Sequence, residues 1–282
     1  MANTFDADLV SEIVHSQSLT TLGPVIGAVE AFAHDVEPDP VSPGSSVKVG
    51  ITTAGATAGT NPTNYETGDS TKEKRDVVVN ELSVSFHVTQ SQMNKGHRLR
   101  SLIRKNMQSI GNSARDTVFA PLTVAKYGAA ALDSTAANFD ADDLKTIWAA
   151  AKDFPTKHLL LDGAYYAKLL PTNAESFRPG QTGAYGYDSI GVNNRWDGAD
   201  SGVVGFVGTT DALAIASGEP VMDDAILNLM DAYEEVELPG GLTAYVASWA
   251  SLTTRSRWMS IGLMLGAAEG DTTAGKLITD GS

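Results

Sequence analysis

The residues here that could do chemistry are five histidines, several adjacent carboxylates and one near-copy of a phosphate loop. His15, His34, His87, His97 and His158 are scattered, and no pair has the HExxH spacing that sets two imidazoles on one helix face for zinc. The chain has no cysteine, which excludes thiolate zinc sites, disulfides and cysteine nucleophiles. GDTTAGKL, from Gly270 to Leu277, nearly spells GxxxxGK[ST]. Leu277 replaces the hydroxyl that would hold magnesium. Only five residues follow it, too few for the helix whose N-terminus should face the phosphates, so the stretch reads as a flexible tail. DADD, from Asp140 to Asp143, could suggest calcium. An EF-hand loop needs glycine at its sixth position, where Lys145 stands, so helix capping is the better reading. Asp223-Asp224 and Glu234-Glu235 could form an acid/base pair, but adjacent carboxylates read as wet surface. Neither a GxSxG elbow nor a GxGxxG fingerprint occurs. No catalytic, cofactor-binding or metal-ligating residue is assigned, and no cofactor is called for.

Composition bounds the rest. At 282 residues, 42% hydrophobic and 19% charged, the chain can build a sizeable core in one or two domains. The N-terminus MANTFDADLV is acidic without a long apolar run and does not read as a signal peptide. No apolar run is long enough to span a membrane. The net charge of −14 argues against a conventional nucleic-acid binder. That charge is segregated. Residues 1–44 hold seven acids and no Lys or Arg, residues 89–130 hold seven bases against one acid, and residues 219–237 hold seven acids and no base. These segments are either solvated faces or partners for one another, within a chain or between chains. The basic segment could touch phosphate, but it lacks the interleaved aromatics of a single-strand binder.

The elements follow from periodicity. FDADLVSEIV reads as a short helix, and Gly23-Pro24 separates it from a second apolar run, Val25 to Phe32. DVEPDPVSPG reads as an extended linker, because its prolines disfavour helix. SSVKVGI and ELSVSFHV alternate as strands, with Leu82, Val84, Phe86 and Val88 on one face of the second. Between them, Thr52 to Asp76 reads as a loop of 25 residues. Its first part, residues 52–65, has no charge and one large side chain, Tyr65. A loop of that length is unusual unless functional, and two strands joined this way need another surface to lie on. Leu99, Ile103, Met107, Ile110, Ala114 and Val118 mark one apolar stripe of a long helix that ends near Pro121, with Arg98, Arg100, Arg104 and Lys105 off the stripe. A helix capped by Asp140 carries Leu144, Ile147, Trp148 and Ala151 on one face. A buried strand at His158–Leu161, a turn at Asp162-Gly163 and a short helix follow. Residues 176–201 read as loop, GVVGFVGTTDALAIA as a strand and a short apolar element, and GLTAYVASWA and RWMSIGLMLGA as two strands around a turn.

This order of parts resembles the major capsid proteins of tailed bacteriophages, the Hong Kong 97 fold. MANTFDADLVSEIV resembles the N-arm, residues 45–88 the extended E-loop, and VTQSQMNKGHRLRSLIRKNMQSIGNSARDTVFA the lead into the spine helix. KHLLLDGAYYAKLLP and GVVGFVGTTDALAIA resemble the axial domain. GLTAYVASWASLTTRSRWMSIGLMLGA resembles the strands returning to the peripheral domain. The resemblance implies an α+β fold with an N-terminal arm (1–44), an E-loop with its flanking strands (45–88), a peripheral domain with the spine helix (89–135), an axial domain (136–238), and return strands with a C-terminal tail (239–282).

It also implies a structural role without enzymatic activity. The subunit would assemble with itself into pentamers and hexamers of an icosahedral head enclosing double-stranded DNA, in a virion built in the host cytoplasm. In that family the E-loop lies across the neighbouring subunit. The inter-subunit residues it implies here are Thr57, Thr60, Asn61, Tyr65, Lys72 and Lys74 on the loop, and Arg98, Arg100, Arg104 and Lys105 on the helix flank. Further partners implied are a separate scaffolding protein (unless the chain is already the mature form), a portal at one vertex, a possible decoration protein, and DNA contacted non-specifically. Some members cross-link an E-loop lysine to a neighbour. Residues 52–65 hold no lysine, so cross-linking is not expected. The nearest alternative on the same fold is an encapsulin-like shell protein, which would need a cargo groove. An enzyme with residues 52–76 as a lid, or a monomeric surface-binding module, lies further off.

Overall fold

The computed structural model describes residues 13–16, 20–33, 39–55, 70–89, 96–170, 186–251 and 256–281. Residues 13–16 are helical, and the rest of the expected helix at 5–14 lies outside the described residues. Helix α1, Gly23–Phe32, begins at the Gly-Pro pair, because proline in the first turn lacks only an N–H that has no partner there. Its Val25, Ala28, Val29 and Phe32 are buried. The described part of the proline-rich segment is extended, as strand β1, Asp39–Val41.

Strands β2, Ser45–Ala54, and β3, Thr71–Val88, form an antiparallel hairpin from Ser45↔Val79 to Ala54↔Thr71. The expected loop at 52–76 is therefore too long: pairing continues to Ala54 and resumes at Thr71. TKEKRD at 71–76 has no apolar alternation, so backbone pairing alone makes it strand. The stripe of α2, Gly96–Phe119, is buried in full, with Leu99, Ile103, Met107, Ile110, Ala114 and Val118 at most 4% exposed. The helix stops two residues short of Pro121. A short helix α3, Val124–Tyr127, and strand β4, Leu132–Asp133, follow.

Helix α4, Ala141–Ala150, starts at Asp140 in a full capping box: Asp140 accepts from the Asp142 and Asp143 amides, and the Asp143 side chain accepts from the Asp140 amide. Strand β5, His158–Leu161, leads to α5, Gly163–Leu169, capped by Asp162. Strand β6, Ser189–Val192, corrects the reading of 176–201 as loop throughout. SIGV is only four residues long, too short to show a period. Strands β7, Val203–Gly208, and β8, Leu213–Pro220, come next, then the short helix α6, Asp224–Leu227. Strands β9, Ala232–Leu238, β10, Leu242–Ser251, and β11, Ser256–Glu269, make a meander. The last strand is β12, Gly275–Thr279.

Two sheets result. A seven-stranded sheet runs β1-β8-β11-β10-β9, with β3 on the other edge of β11 and β2 beyond it. A five-stranded sheet runs β4-β12-β7-β5-β6. The sheets divide the chain differently from the expected unit at 136–238. β8 and β9 belong with β11 and β10, and β12 joins β7. The expected flexible tail is a buried strand, with Leu277 and Ile278 fully covered.

β3 changes partner along its length. From Asn80 to Val88 it pairs with β11, and Leu82, Val84, Phe86 and Val88 face the core that contains the α2 stripe. Before Asn80 it pairs with β2, and Val77 and Val79, of the opposite parity, pack with Ile51 onto Ala214, Ala216 and Met264. The hairpin thus leaves the plane of the sheet and lies on the face of β8 and β11 away from α2. Gly266 permits the crossing, since a methyl group there would overlap the carbonyl oxygen of Val78. Gly262 does a similar service for the Tyr245 ring, which lies over it and donates its hydroxyl to Glu81 on β3.

Gly266→Ala should cost about 1–3 kcal/mol of unfolding free energy, the usual range for overpacking. Gly50→Ala, where an added methyl meets nothing within 4 Å, should change it by less than about 0.5 kcal/mol. Urea denaturation of both variants checks the pair.

Candidate functional site

The chemical candidates resolve into structural roles. Asp271 accepts from the amide and hydroxyl of Thr273, and this turn feeds strand β12 where a nucleotide loop would require a helix. The DADD run caps α4. Asp223 caps α6 by accepting from the Ala225 amide. Glu235 accepts from the Tyr233 hydroxyl on the same strand. His158 shares a 2.8 Å hydrogen bond with Ser189 on the neighbouring strand, and His87 lies against Trp258. Among the described residues, no group of three or more His, Asp or Glu could hold a metal ion. No described helix is long and apolar enough to cross a membrane.

What remains is surface. Thr57, Thr60, Asn61 and Tyr65 lie outside the described residues. Lys72 and Lys74 do not sit in a loop: they are on β3, opposite Thr52 and Gly50, and both are exposed. Lys48, opposite Asp76, shares their face. The alternation of Val47, Val49 and Ile51 already places Lys48 outward, a signal the sequence carried. The other face of the hairpin is held down. Arg75 pairs with Glu73 at 2.8 Å and donates to the Gly270 carbonyl at 3.4 Å. So the hairpin presents three lysines outward and rests its apolar side on its own chain.

Arg98, Arg100, Arg104 and Lys105 are all exposed on α2, close in sequence to one another and away from the buried stripe. The structure gives them no ion pair among the described residues. The far end of the same helix is clamped. Arg195 makes a two-pronged pair with Asp116, at 2.9 and 2.8 Å, and also pairs with Asp197 at 3.0 Å. Those contacts hold the Arg195 guanidinium firmly protonated. Trp196 packs on Phe119 with ring centroids 4.9 Å apart. Asp200 accepts from the Val124 amide.

Among the described residues, no ion pair joins the acids of 1–44 or 219–237 to the bases of 89–130. Arg257 does take up Asp231 at 3.0 Å. The segment between β8 and β9 exposes Val221 (59%), Ile226 (50%) and Leu229 (78%) among its acids. Periodicity could not mark these three, because they belong to a four-residue helix and its flanks.

Lys126 reaches Glu269 at 2.6 Å, and this hydrogen bond holds the Glu269 carboxyl below the usual carboxylate range. A depressed carboxylate pKa contributes stability that is present above the unfolded value, about 4.3, and lost as pH falls through the folded one. The wild-type protein should therefore lose more stability between pH 5 and pH 3 than Lys126→Met. Urea midpoints at both pH values, with the Glu269 titration followed by NMR, test this.

No protein-family model matches this sequence, and no curated protein matches it. Solved structures do match. The capsid of an empty GTA particle aligns with a TM-score of 0.54 at 10% identity, covering 100% of this chain and 93% of that one. A chain of Microbacterium phage Oxtober96 aligns at 0.51 and 16% identity, covering 89% and 90%. The virus-like particle from Pyrococcus furiosus aligns at 0.50 and 12% identity, covering 95% and 98%. At such identities it is the backbone that is shared. With its out-of-plane hairpin, its long apolar-striped helix and its two sheets, the chain has the α+β fold of Hong Kong 97-type capsid proteins.

Proposed function

We propose that this chain is the major capsid protein of a tailed bacteriophage, a structural subunit that assembles with itself into pentamers and hexamers of an icosahedral head around double-stranded DNA. The observation that carries this reading is the extent of the fold match: the whole chain aligns on 93% of the capsid chain of a GTA particle. In this reading the β2–β3 hairpin is the E-loop, α2 is the spine helix, and the five-stranded sheet belongs to the axial domain. A scaffolding protein, a portal at one vertex and a decoration protein are the further partners, and the virion is the final location.

The surface chemistry supports the reading. The hairpin carries Lys48, Lys72 and Lys74 outward, and α2 carries Arg98, Arg100, Arg104 and Lys105. Among the described residues none of these bases forms an ion pair with the acids of 219–237, so a neighbouring copy could supply the complement. Thr57, Thr60, Asn61 and Tyr65 would meet that neighbour with hydrogen bonds, at little cost in desolvated charge. Many weak copies of such a contact add up through avidity. A net charge of −14 also suits a container that must not cling to the DNA packed inside it.

Negative-stain electron microscopy of the purified protein, expressed with and without its neighbouring viral genes, tests the central claim. Closed shells, tubes or rings of five or six are the expected result, with DNA in particles from the viral context. A monomer under every condition would overturn it. The double variant Arg100→Glu/Arg104→Glu should lower particle yield at least tenfold, or lower the salt concentration at which shells come apart. Normal particles with unchanged salt tolerance would remove these arginines from the interface.

A further inference from the structure

Val221, Ile226 and Leu229, each at least half exposed, stand together on the crossing from β8 to β9. The short helix α6 holds them out. Asp223 caps its first turn by accepting from the Ala225 amide, and none of its four residues is buried. A single exposed apolar side chain needs no explanation, but a group of them rimmed by charge marks a contact surface. The rim here is acidic. Residues 219–231 hold Glu219, Asp223, Asp224 and Asp231 and no Lys or Arg. The cap uses Asp223 and Arg257 takes Asp231, which leaves Glu219 and Asp224 without an ion pair among the described residues.

A complement to this patch exists on the same chain. The outward face of the β2–β3 ribbon carries Lys48, Lys72 and Lys74 against one acid, Asp76. Among the described residues none of the three lysines has an ion pair. Val78 has the parity of Lys72 and Lys74, so it shares their face. It is 50% exposed, although its neighbours Val77 and Val79 are fully buried. Its partner across the ribbon is Ser46, which is too small to cover it. The basic flank of α2 offers charge alone, because no large apolar residue described on that helix is exposed. An apolar patch with an acidic rim therefore matches the ribbon better than the helix.

One chain cannot join the two surfaces. The ribbon runs from its base towards the Leu213 end of β8: Arg75 reaches the Gly270 carbonyl, and the Gly270 amide donates to Ala212. Lys72 and Lys74 lie further towards the tip than Arg75. The patch begins at the other end of β8, where Pro220 pairs with Val41. At about 3.3 Å per residue, roughly 23 Å of strand separates the two ends. Two different surfaces that match but cannot meet within a chain make a head-to-tail contact between copies, which closes into a ring when the rotation per subunit allows.

From the exposed trio, its acidic rim and the lysine face centred on Val78, we propose that the crossing at 221–229 receives the β2–β3 ribbon of a second copy. The second copy's Val78 enters among Val221, Ile226 and Leu229, and its lysines meet Glu219 and Asp224 at the rim. The apolar centre keeps water from charge pairs that are worth little when exposed. The proposal rests on the shell reading for its supply of neighbours, and it adds the surface on which each ribbon is received.

The chain has no cysteine, so introduced ones report without background. Val78→Cys and Leu229→Cys each replace an exposed side chain, and both variants should keep the wild-type urea midpoint. Assembled together in the viral context and treated with a short bismaleimide, they should give a linked dimer on denaturing gels that neither gives alone. Val78→Cys with Val124→Cys, which is exposed outside the patch, should give at least tenfold less. In wild-type particles a carbodiimide, which joins amine to carboxylate without a spacer, should link Lys48, Lys72 or Lys74 to Glu219 or Asp224, read by mass spectrometry. Normal particles that link 78 to 229 no better than 78 to 124 overturn this contact and leave the shell reading standing. Linking of Val78→Cys to itself also overturns it, by assigning that face to a like-with-like contact. A chain that stays monomeric under every condition overturns the shell reading, and this proposal with it.

Discussion

The pairing of β3 with β11 is the constraint on which the rest of this structure depends. β11 takes β10 and β8 along one edge and β3 along the other, so it is the strand that joins the meander, the parallel edge at β1 and the hairpin. Its Met259, Ile261, Leu263 and Leu265 face the core that receives the stripe of α2, while Met264 faces the hairpin. A strand buried on both faces cannot slip by one residue without exchanging those two environments. The register Leu82↔Leu263 therefore fixes where the helix docks and where the hairpin departs.

That departure divides the molecule into unequal parts. The core around α2 draws on both sheets, from Phe32 and Phe206 through Met107 to Ile261. The cluster under the hairpin is small, and two of its members are alanines. Burial of a Leu or Phe side chain contributes about 1.5–3 kcal/mol, and an alanine much less. The base of the hairpin is therefore held by modest packing, helped by Arg75 on the Gly270 carbonyl, while the body is held strongly. An arm attached in this way can shift without threatening the fold behind it. In the proposed shell that division is useful, because a subunit must keep its own shape while its arm adjusts to a neighbour.

Legibility followed periodicity. All six residues of the α2 stripe and the face Leu82–Val88 could be read directly, because a single repeat ran long enough to show. The cap at Asp140 was equally plain, since one side chain and its next neighbours make the whole motif. What the sequence hid was short or non-local. SIGV and GKLIT are strands because a sheet edge and a slot between β4 and β7 receive them, and neither is long enough to show alternation. TKEKRD is strand because β2 lies beside it. Arg195 and Asp116 meet across 79 residues, and no local rule links them. Of the surface residues, the bases of α2 were legible as lying off the apolar stripe, whereas Lys72 and Lys74 read as loop and are on a paired strand.

The distribution of charge follows from the same geometry. Where opposite charges lie close in the fold they are used, as in Arg195 with Asp116, Lys126 with Glu269 and Arg257 with Asp231. The bases on the exposed flank of α2 have no such partner among the described residues. Like charges gathered on one segment repel one another, and a monomer gains nothing from gathering them. They become useful when a second surface of opposite sign arrives, because complementary charge fixes register and speeds encounter more than it adds affinity. Exposed pairs of this kind are worth little singly and are screened within about 8 Å at physiological salt. An assembly held by many of them therefore forms and corrects itself reversibly, which a shell needs if misplaced subunits are to leave before the shell closes.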